Sequence, residues 1–396
     1  MNALAAYPAY RVHDRVTFDE LPNHWDVVRG RHLVQIRTGS GDTVDAVPDG
    51  DYPFYVRSDQ PLLSDRWEFD TTAVLTAGDG AGVAKVFHLV SGRFMAHQRV
   101  YVLDDFRRVT PKFFFYAFSS MFRLMALDGS ARSTVDSVRR PMIADLPFPV
   151  PPIDEQRAIS DFLNRETARI DTLIEEQQRL IAMLGVRKRA VLDEVTAVAS
   201  GTRVRLKYLF APSSEANHPD EEVLSVYRDY GVIPKSSRDD NFNRTPENVA
   251  RYLFVRPGDV VINRMKAWQG SLGVSEYRGI VSGDYEVVRP VDNRLLPRFA
   301  HLFLRSPLMI ADYAVRSTGI RPSQWRLYWD QMGNIEVPVP PLAEQASIVE
   351  HIDEQTSKID TLIAETERFI ELARERRSAL ITAAVTGQID VRAEVA

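Results

Sequence analysis

Hydrophobic and polar positions recur in two long stretches of the chain that lie 189 residues apart. The pattern PVPPxxEQ occupies residues 149–156 and returns at 338–345, and the pattern IDTLI occupies residues 170–174 and returns at 359–363. The spacing between the two patterns is the same in both copies, so the copies align without an insertion or deletion. An ungapped internal repeat of this kind predicts one structural element that the chain uses twice.

Each copy of the repeat predicts a long amphipathic helix, because its apolar residues recur at alternating steps of four and three. Pro152 and Pro341 stand at the helix entry, where proline is tolerated, and Gly201 and Gly387 are natural stops. Each helix then spans about 40–45 residues, or ~60–65 Å at 1.5 Å per residue. The apolar stripe consists of Ile159, Leu163, Ile170, Leu173, Leu180, Leu184 and Val191 in the first copy, and of Ile348, Ile352, Ile359, Leu362, Phe369, Ala373 and Leu380 in the second.

An amphipathic helix of that length has to bury its apolar stripe against another surface. The other copy is the obvious partner, because polar residues interrupt both stripes at matching positions, Glu166 with Gln355 and Gln177 with Thr366. We therefore predict an antiparallel coiled coil that gives the chain a pseudo-twofold repeat. The alternative is that each stripe packs on the globular module beside it.

The stretches before the helices have a different pattern, with short β-like runs that Gly, Pro and Asp interrupt. The expected strands include 83–87, 99–103, 259–262 and 285–288, and the expected helices are 111–125 and 297–313. The predicted fold class is α+β, with two mixed globular modules separated by two long antiparallel helices. The predicted boundaries are 1–146 for module 1, 147–201 for the first helix, 202–336 for module 2 and 337–396 for the second helix.

The net charge of −5 argues at first against a nucleic-acid partner, but its distribution changes that picture. Module 1 contains 17 basic and 18 acidic residues, and module 2 contains 19 basic and 16 acidic residues. The acidic excess therefore falls in the two helical stretches, and a local basic patch on either module is compatible with DNA binding. We see no secretory signal and no apolar run long enough for a transmembrane helix, and a cytoplasmic location fits the sequence.

Known catalytic patterns are missing from the sequence. There is no GxxxxGK[ST] phosphate loop, no HExxH zinc pattern, no GxSxG nucleophile turn and no [ND]PP[FY] stretch. The chain also has no cysteine, which excludes disulfides, thiolate metal sites and cysteine nucleophiles. We expect no catalytic residue and no metal site in this chain.

Three features of the modules leave alternatives open. The glycine-rich segment 76–82 is read as a tight turn, a nucleotide-binding loop or a loop that approaches a DNA backbone. His97 is either a structural histidine or a DNA contact, and a metal-ligand role for it is negligible. The pair Asp239-Asp240 resembles part of a nuclease site but is read as loop solvation.

Polar segments in both modules carry side chains that read base edges or grip phosphates. Segment 261–271 of module 2 combines Asn, Arg, Lys and Gln around Trp268, which we expect to anchor the loop in the core. The alternative is an ordinary soluble surface with unremarkable arginines. The DNA-binding candidates are Lys85, Arg93, His97, Gln98, Arg99 and Arg132 in module 1, and Arg228, Lys235, Ser236, Arg238, Asn263, Arg264, Lys266, Gln269, Arg321, Gln324 and Arg326 in module 2.

These motifs resemble the specificity subunits of type I restriction–modification systems. The resemblance covers essentially the whole chain and rests first on the repeated PVPPxxEQ and IDTLI patterns. Segments 78–83 and 97–101 are similar to one class of target-recognition domain, and segment 257–271 is similar to another. Several independent motifs in the expected order make the resemblance specific.

The resemblance implies a non-catalytic subunit in which each recognition domain reads one half of a bipartite DNA target. It implies methyltransferase subunits, two of them, that dock on the helical region, and a separate restriction and translocase subunit. S-adenosylmethionine, ATP and Mg²⁺ would then belong to those partners, and this chain would hold no cofactor. The candidate partner-binding residues are Glu155, Gln156, Arg187, Lys188, Glu344, Gln345, Arg376 and Arg377.

Two unlike modules on a pseudo-twofold repeat predict an asymmetric, interrupted target, and the helix length limits the spacing of their centres to under about 20 base pairs. Two other classes of function stay open. One is a coiled-coil adaptor whose modules bind protein, which would show no salt-dependent DNA affinity. The other is an enzyme such as a nuclease with an unrecognised site, which would cleave DNA on its own with a metal ion.

Overall fold

The structure is a computed structural model, and it divides the chain into two compact units. Unit 1 comprises 1–177 and 368–396, and unit 2 comprises 178–367. Each unit therefore contains one module and a part of each long helix. The residues that the structure describes are 5–15, 18–80, 83–127, 137–228, 230–238, 245–246, 248–321 and 324–394.

The long helices are α3, Ile153–Val198, and α7, Leu342–Val385, with 46 and 44 residues. The predicted helices are confirmed, including their start directly after the repeated prolines. The compact units cut both helices near their middle instead of separating them from the modules. The sequence predicted four consecutive segments, with each long helix separate from its module. The compact units instead combine each module with parts of both helices.

Unit 1 contains mixed sheets and a short helical layer. Its helices are α1, Pro111–Leu127, and α2, Arg140–Ala144. Its strands are β1 Tyr10–Arg15, β2 Phe18–Pro22, β3 Asp26–Arg29, β4 Gln35–Thr38, β5 Tyr52–Tyr55, β6 Leu62–Ser64, β7 Phe69–Asp70, β8 Ala73–Ala77, β9 Phe87–Val90, β10 Arg93–Ala96, β11 Val100–Asp104 and β12 Pro147–Val150.

Two four-stranded sheets organise unit 1, with strand orders β4-β11-β8-β9 and β6-β5-β10-β7. The core is aromatic, because α1 buries Phe113, Phe114, Phe118 and Phe122 in one continuous cluster. The same cluster includes residues from the first part of α3 and the last part of α7, such as Ile159. Each fully buried phenylalanine contributes about 1.5–3 kcal/mol, so packing on the module holds these helix segments in unit 1.

Unit 2 repeats the mixture of sheets and helices with different elements. Its central sheet has the order β14-β21-β18-β19. Its helices are α4 Pro297–Leu304, α5 Pro307–Arg316 and α6 Trp329–Met332. Its strands are β13 Thr202–Arg205, β14 Phe210–Pro212, β15 Leu224–Tyr227, β16 Gly231–Pro234, β17 Leu253–Val255, β18 Val260–Asn263, β19 Leu272–Val274, β20 Gly279–Val281, β21 Tyr285–Pro290 and β22 Glu336–Val339.

In each unit the strand that leads into the long helix pairs with a strand from the early part of the module. Strand β12 pairs with β3 in unit 1, and β22 pairs with β13 in unit 2, both antiparallel over four residues. Pro147 faces Arg29, and the repeat-equivalent Glu336 faces Arg205. The module and the repeated helix are thereby joined in the same way in both units.

The glutamine of the repeated PVPPxxEQ pattern has one structural role in both units. Gln156 is fully buried; its amide nitrogen donates to the carbonyl oxygens of Arg108 and Pro151, and its oxygen accepts from the backbone nitrogen of Thr110 at 2.7 Å. Gln345 makes the equivalent three hydrogen bonds, to the carbonyls of Arg294 and Pro340 and from the backbone nitrogen of Leu296 at 2.8 Å. Each glutamine thus fixes the segment that leads into the first helix of its module.

The predicted strand 83–87 is wrong, because the described part of 83–86 forms a turn and the strand begins at Phe87. Strands near 99–103, 259–262 and 285–288 are confirmed within one or two residues. The predicted helix 297–313 is two helices, α4 and α5. The side chain of Ser306 accepts a hydrogen bond from the backbone nitrogen of Met309. Ser306 thereby caps α5, which begins at Pro307.

Candidate nucleic-acid interface

The two candidate segments of module 1 lie side by side in unit 1. Strand β8 ends at Ala77 and leads into the glycine-rich segment, whereas residues 97–99 lead into strand β11. The two strands are antiparallel neighbours in which Ala77 faces Val100. Because the end of one antiparallel strand lies beside the start of the next, the structure brings both segments to one edge of the sheet.

A close backbone approach explains the first glycine of this segment. The backbone nitrogen of Gly78 donates to the carbonyl oxygen of Arg99 at 2.7 Å. A Cβ atom at position 78 would lie 2.8 Å from that same oxygen, so a larger residue would push the two segments apart. Of the alternatives for the segment, this geometry supports the tight turn; residues 81–82 lie outside the described residues.

Asp79 joins the two segments through a pair of arginines. One carboxylate oxygen accepts a hydrogen bond from Arg57 at 2.9 Å, and the other accepts one from Arg99. The side chain of Asp79 is 17 % exposed, and those of Arg57 and Arg99 are 43 % and 60 % exposed. We call these residues the Arg57–Asp79–Arg99 cluster.

The charge of Asp79 is secured by its neighbours. Burial raises the pKa of the Asp79 carboxyl, but the hydrogen bonds from Arg99 and Arg57 outweigh burial and the pKa is lowered. Asp79 is therefore ionised at neutral pH. The cluster presents two guanidinium groups and one carboxylate on the same exposed edge.

His97 is part of the core beneath this edge. Its ring is 4 % exposed, and its Nδ1 atom accepts a hydrogen bond from the backbone nitrogen of Arg99 at 3.0 Å. Burial first, and then the nearby charge of Arg57, lower its pKa, which favours the neutral ring. The structural alternative for His97 is supported, and its inclusion among the DNA-binding candidates is corrected on this ground. Gln98 beside it is exposed and donates to Asp42 at 3.0 Å.

The other candidates of module 1 do not join the cluster. Arg93 starts strand β10, pairs with Asp70 at 3.2 Å and stacks on Trp67 at 4.8 Å. His97 follows the other end of β10, and four strand residues separate the two positions by ~13 Å. Lys85 is exposed in the turn before β9. Arg132 lies outside the described residues.

Three candidate segments of module 2 converge in unit 2. The guanidinium of Arg228, in the turn after β15, donates to the side-chain oxygen of Gln269 at 2.9 Å. The carbonyl oxygen of Arg264 accepts from the backbone nitrogen of Leu327 at 2.9 Å, which attaches the antiparallel bridge between Thr318 and Arg326; we call the described residues 318–321 and 324–326 the hairpin. The turn, the loop 263–271 and the hairpin therefore form one continuous polar surface.

Trp268 anchors the 263–271 loop, as predicted, although it is only partly buried. It packs edge-on against Trp325 of the hairpin with 5.3 Å between ring centroids, and its indole nitrogen donates to the carbonyl oxygen of Met265 at 3.0 Å. Gly270 closes the loop in the left-handed region with φ +90°. Lys266 projects from this fixed loop, is exposed, and has no polar side-chain partner among the described residues.

Two of the module 2 candidates contact backbone carbonyls or aromatic rings. The guanidinium of Arg264 donates to the backbone carbonyls of Gly283 and Asp284. Arg238 lies over the rings of Tyr227 and Tyr230, 5.5 and 4.9 Å from their centroids. Asn263 accepts from the backbone nitrogen of Met265 at 3.1 Å and so shapes the start of the loop.

Lys235 and Ser236 stand apart from this surface. The β15–β16 hairpin places Tyr227 opposite Gly231 at its turn and Leu224 opposite Pro234 at its other end. Lys235 and Ser236 follow Pro234 and bond to Thr245 and Glu222 at 2.8 and 2.6 Å. Of the hairpin candidates Arg321, Gln324 and Arg326, the first two are exposed and the third is half-buried.

The sequence reading missed several residues of these surfaces. Arg57, Asp79 and Asp42 occupy the edge in unit 1, and Tyr230 and Trp325 occupy the surface in unit 2. Arg57 and Asp42 come from loops that carry no motif of their own. Asp79 lies inside the glycine-rich motif and could have been predicted to form an ion pair, because it is an acidic residue in a turn.

The predicted partner-binding residues on the helices fall into two classes. Gln156 and Gln345 are fully buried and Glu155 is 6 % exposed, and their hydrogen bonds are internal, so these three are corrected to structural residues. Lys188 binds Asp360 at 2.6 Å in unit 2, and the repeat-equivalent Arg377 binds Asp171 at 2.8 Å in unit 1. Arg187 and Arg376 are exposed, and Glu344 is half-buried and accepts from Ser200 at 2.7 Å.

The described part of the chain shows neither a metal site nor a membrane span. Its His, Asp and Glu side chains form no group of three or more that is placed to hold a metal ion. None of its helices is long and apolar enough to span a membrane.

Comparisons with known proteins point to one family. Residues 22–181 match the family model for the type I restriction modification DNA specificity domain. The specificity subunit of the type I restriction enzyme EcoDI from Escherichia coli is 20% identical over 414 residues, which cover 93% of this chain and 90% of that protein. A protein named as a type I restriction enzyme specificity subunit from Haemophilus influenzae is 21% identical and covers 83% of this chain and 85% of its own length.

Solved structures share the fold at low sequence identity. A chain from a structure that describes the assembly and conformational transition of a type I R-M system aligns with a TM-score of 0.67 at 16% identity, over 93% of this chain and 99% of that one. The HsdS subunit from Thermoanaerobacter tengcongensis aligns with a TM-score of 0.52 at 18% identity, over 93% and 98%. Residues 22–181 thus match the model of the type I restriction modification DNA specificity domain, and nearly the whole chain is similar to specificity subunits of type I restriction enzymes.

Proposed function

We propose that the chain is the non-catalytic, DNA-reading subunit of a type I restriction–modification complex that works in the cytoplasm. Unit 1 would read one half of a bipartite DNA target through the edge around Asp79, and unit 2 would read the other half through the surface around Lys266. The observation that carries this proposal is the convergence, in each unit, of separate polar segments onto one rigid surface. Arginine, lysine, glutamine and asparagine on such surfaces are the side chains that contact base edges and phosphates.

The unlike surfaces support an asymmetric target. The strands and turns that carry them differ between the units, whereas the glutamine anchor and the cross-helix ion pair are the same. A shared scaffold with two different reading surfaces is suited to two different half-sites. Helix α3 measures ~69 Å at 1.5 Å per residue, which sets an upper limit on a gap that the helices would determine.

In each unit, exposed apolar residues of the long helices offer a docking surface for a methyltransferase subunit. In unit 2, Met183 and Val186 of α3 are 63% and 64% exposed, and Leu362 of α7 is 48% exposed. In unit 1, Phe369 and Leu372 of α7 are exposed as well. Exposed apolar side chains on one helical element are typical of a protein interface. S-adenosylmethionine, ATP and Mg²⁺ would be bound by the methyltransferase and translocase partners.

Methylation mapping in cells tests this proposal. The chain would be co-expressed with the methyltransferase subunit encoded beside it, and modified adenines would be located across the host genome. We expect one bipartite, asymmetric motif that disappears when this chain is omitted. A motif that persists without the chain would contradict the proposal, and so would a purified chain that cuts DNA by itself.

The same assay tests whether the long helices set the length of the nonspecific gap between the half-sites. A seven-residue insertion in each long helix keeps the apolar faces in register, because two turns are added. We expect the nonspecific gap to change while both half-sites stay the same. Altered half-sites with an unchanged gap would contradict this role of the helices.

A further inference from the structure

The Arg57–Asp79–Arg99 cluster contains a carboxylate at a surface where DNA binding alone would favour only cations. Both oxygens of Asp79 are engaged, one by each arginine, and its side chain is 17 % exposed. A carboxylate in this position accepts hydrogen bonds and donates none. The cluster therefore offers donors on two sides and an acceptor between them.

A phosphate group fits this arrangement poorly. Phosphate oxygens also act as acceptors, so a phosphate bound to Arg57 and Arg99 would stand beside a charged carboxylate and repel it. The cluster is thus a weak site for the DNA backbone, although it contains two arginines.

The major-groove edge of a base pair fits better, because it presents acceptors and an amino donor together. Guanine offers N7 and O6 with the cytosine amino group beside them, and adenine offers N7 and its own amino group with thymine O4 beside it. An arginine can donate to the acceptors of either pair while a carboxylate accepts from the amino group. All three members of the cluster would then keep a hydrogen-bond partner.

The loops behind the cluster hold it rigidly. The carbonyl oxygen of Gly78 accepts from the backbone nitrogen of Val138 at 2.7 Å, which ties down the segment that carries Asp79. The backbone nitrogen of Gln98 donates to the carbonyl of Gly41 at 2.8 Å, which ties down the segment that carries Arg99. Groups fixed in this way can discriminate between base pairs, because a mismatched edge cannot be accommodated by movement of the backbone.

We propose that the Arg57–Asp79–Arg99 cluster reads one base pair in the major groove, with Asp79 accepting a hydrogen bond from an exocyclic amino group of that pair. Asp79 is then a specificity-determining residue and also withholds both arginines from nonspecific phosphate contacts. The inference rests on the proposed function, since it assumes that unit 1 faces DNA. Its ligand is a base-pair edge that carries a cytosine N4 or an adenine N6 amino group.

The test compares three forms of the full chain, each purified with its methyltransferase subunit: wild type, Asp79→Asn and Asp70→Asn. Asp70 is the matched control, because it pairs with Arg93 in the same unit but at the other end of strand β10. Each complex would select duplexes from a randomised library. The salt dependence of its affinity would be measured on a scrambled duplex.

For Asp79→Asn we expect one base-pair position of one half-site to lose a preference of about tenfold or more, the usual cost of a mismatch. The other half-site should stay unchanged, which shows that the variant is folded. On scrambled DNA, affinity should rise and the slope of log K against log salt should steepen by up to ~1.8, because two arginines are released at ~0.9 each. For Asp70→Asn we expect no loss of preference at any position.

Base analogues identify the amino group. In the wild-type complex, a purine lacking the 6-amino group or a 2-pyrimidinone lacking the 4-amino group would replace adenine or cytosine at the affected position. Only the analogue that matches the selected base, purine for adenine or 2-pyrimidinone for cytosine, can be placed there, and it should weaken binding by wild type more than binding by Asp79→Asn. The inference would be overturned if Asp79→Asn kept every preference, or if the analogue weakened binding by both forms equally. A wild-type complex that selected no motif would overturn the proposed function together with it.

Discussion

The two units hold the cations of their candidate surfaces in different ways. In unit 1 the candidate arginines form ion pairs with carboxylates: Asp79 binds Arg57 and Arg99, and Asp70 binds Arg93. An arginine that is already neutralised releases few counterions when it meets DNA. The number of basic residues in unit 1 is therefore a poor guide to its affinity for DNA.

In unit 2 the hydrogen bonds of two candidate arginines go to neutral acceptors. Gln269 accepts from Arg228, and backbone carbonyls accept from Arg264. Lys266 projects from the same loop without a polar side-chain partner among the described residues. If the two surfaces bind DNA as proposed, we expect unit 2 to contribute more of the salt-dependent affinity and unit 1 to contribute more of the sequence selectivity.

The largest expected effect tests what the units share. Gln156→Ala removes three hydrogen bonds, all at least partly buried, and leaves the backbone nitrogen of Thr110 without its acceptor, which costs about 3 kcal/mol in local stability. Gln345→Ala should cost the same in unit 2. Hydrogen–deuterium exchange, read separately for each unit, measures both. Gln98→Ala, at an exposed position, is the control with an expected loss under ~0.5 kcal/mol. Unequal losses of stability would show that Gln156 and Gln345 do not play equivalent roles in the two units.

A smaller effect is the dependence of the stability of unit 2 on pH. Burial, followed by the charges of Arg305 and Arg298, lowers the pKa of His301 in unit 2 from 6.5 to about 4. A histidine whose pKa is lower in the folded state costs stability as the pH falls from its unfolded pKa towards its folded one. Unit 2 should therefore lose about 2 kcal/mol between pH 7 and pH 5.

The variant His301→Gln should remove most of this pH dependence in unit 2. His351, whose side chain is 57% exposed in the same unit, provides the control, because His351→Gln should leave the dependence in place. Exchange protection or urea unfolding followed at both pH values gives the result. An unchanged pH dependence in His301→Gln would assign it to other groups.

Salt dependence sharpens the contrast between the two surfaces. Lys266→Gln should reduce the slope on a scrambled duplex by ~0.9, the value for one phosphate contact. Arg99→Gln should reduce it by less than half as much, because Asp79 already neutralises that arginine. Fluorescence anisotropy over a series of salt concentrations measures both slopes. Equal reductions would contradict the difference drawn between the units.

The smallest effect concerns the cross-helix ion pairs, Lys188 with Asp360 in unit 2 and Arg377 with Asp171 in unit 1. Both are partly exposed, so each should contribute only about 0.5 kcal/mol. Double-mutant cycles in each unit should give equal coupling energies within error. A coupling energy above ~2 kcal/mol in either unit would show that the pair is far more than a surface contact.

The helices were predictable because their signal is local and repeated. Periodic apolar residues, entry prolines and terminal glycines define α3 and α7 to within a few residues. The break between α4 and α5 was not predicted, although Ser306-Pro307 carries its signal, a capping residue followed by proline. The strand expected at 83–87 failed, because a short apolar run cannot by itself separate a strand from a packed turn.

The candidate surfaces were predictable only in part, because ion pairs join residues that are distant in sequence. Asp79 lies 22 residues from Arg57 and 20 from Arg99, and neither pairing leaves a trace in a local pattern. His97 stood in a polar motif, yet the fold turns its ring into the core. The Glu-Gln of the repeat looked like a docking motif, but the same glutamine in both copies serves the interior.

One measurement tests the central claim, that each unit carries its own reading surface, most directly. Two variants of the full complex would be made, Arg57→Ala with Arg99→Ala in unit 1, and Lys266→Ala with Gln269→Ala in unit 2, and each would select from a randomised duplex library. The account predicts that the first variant loses preference in one half-site only and the second in the other only. Loss in the same half-site, or in neither, would contradict it.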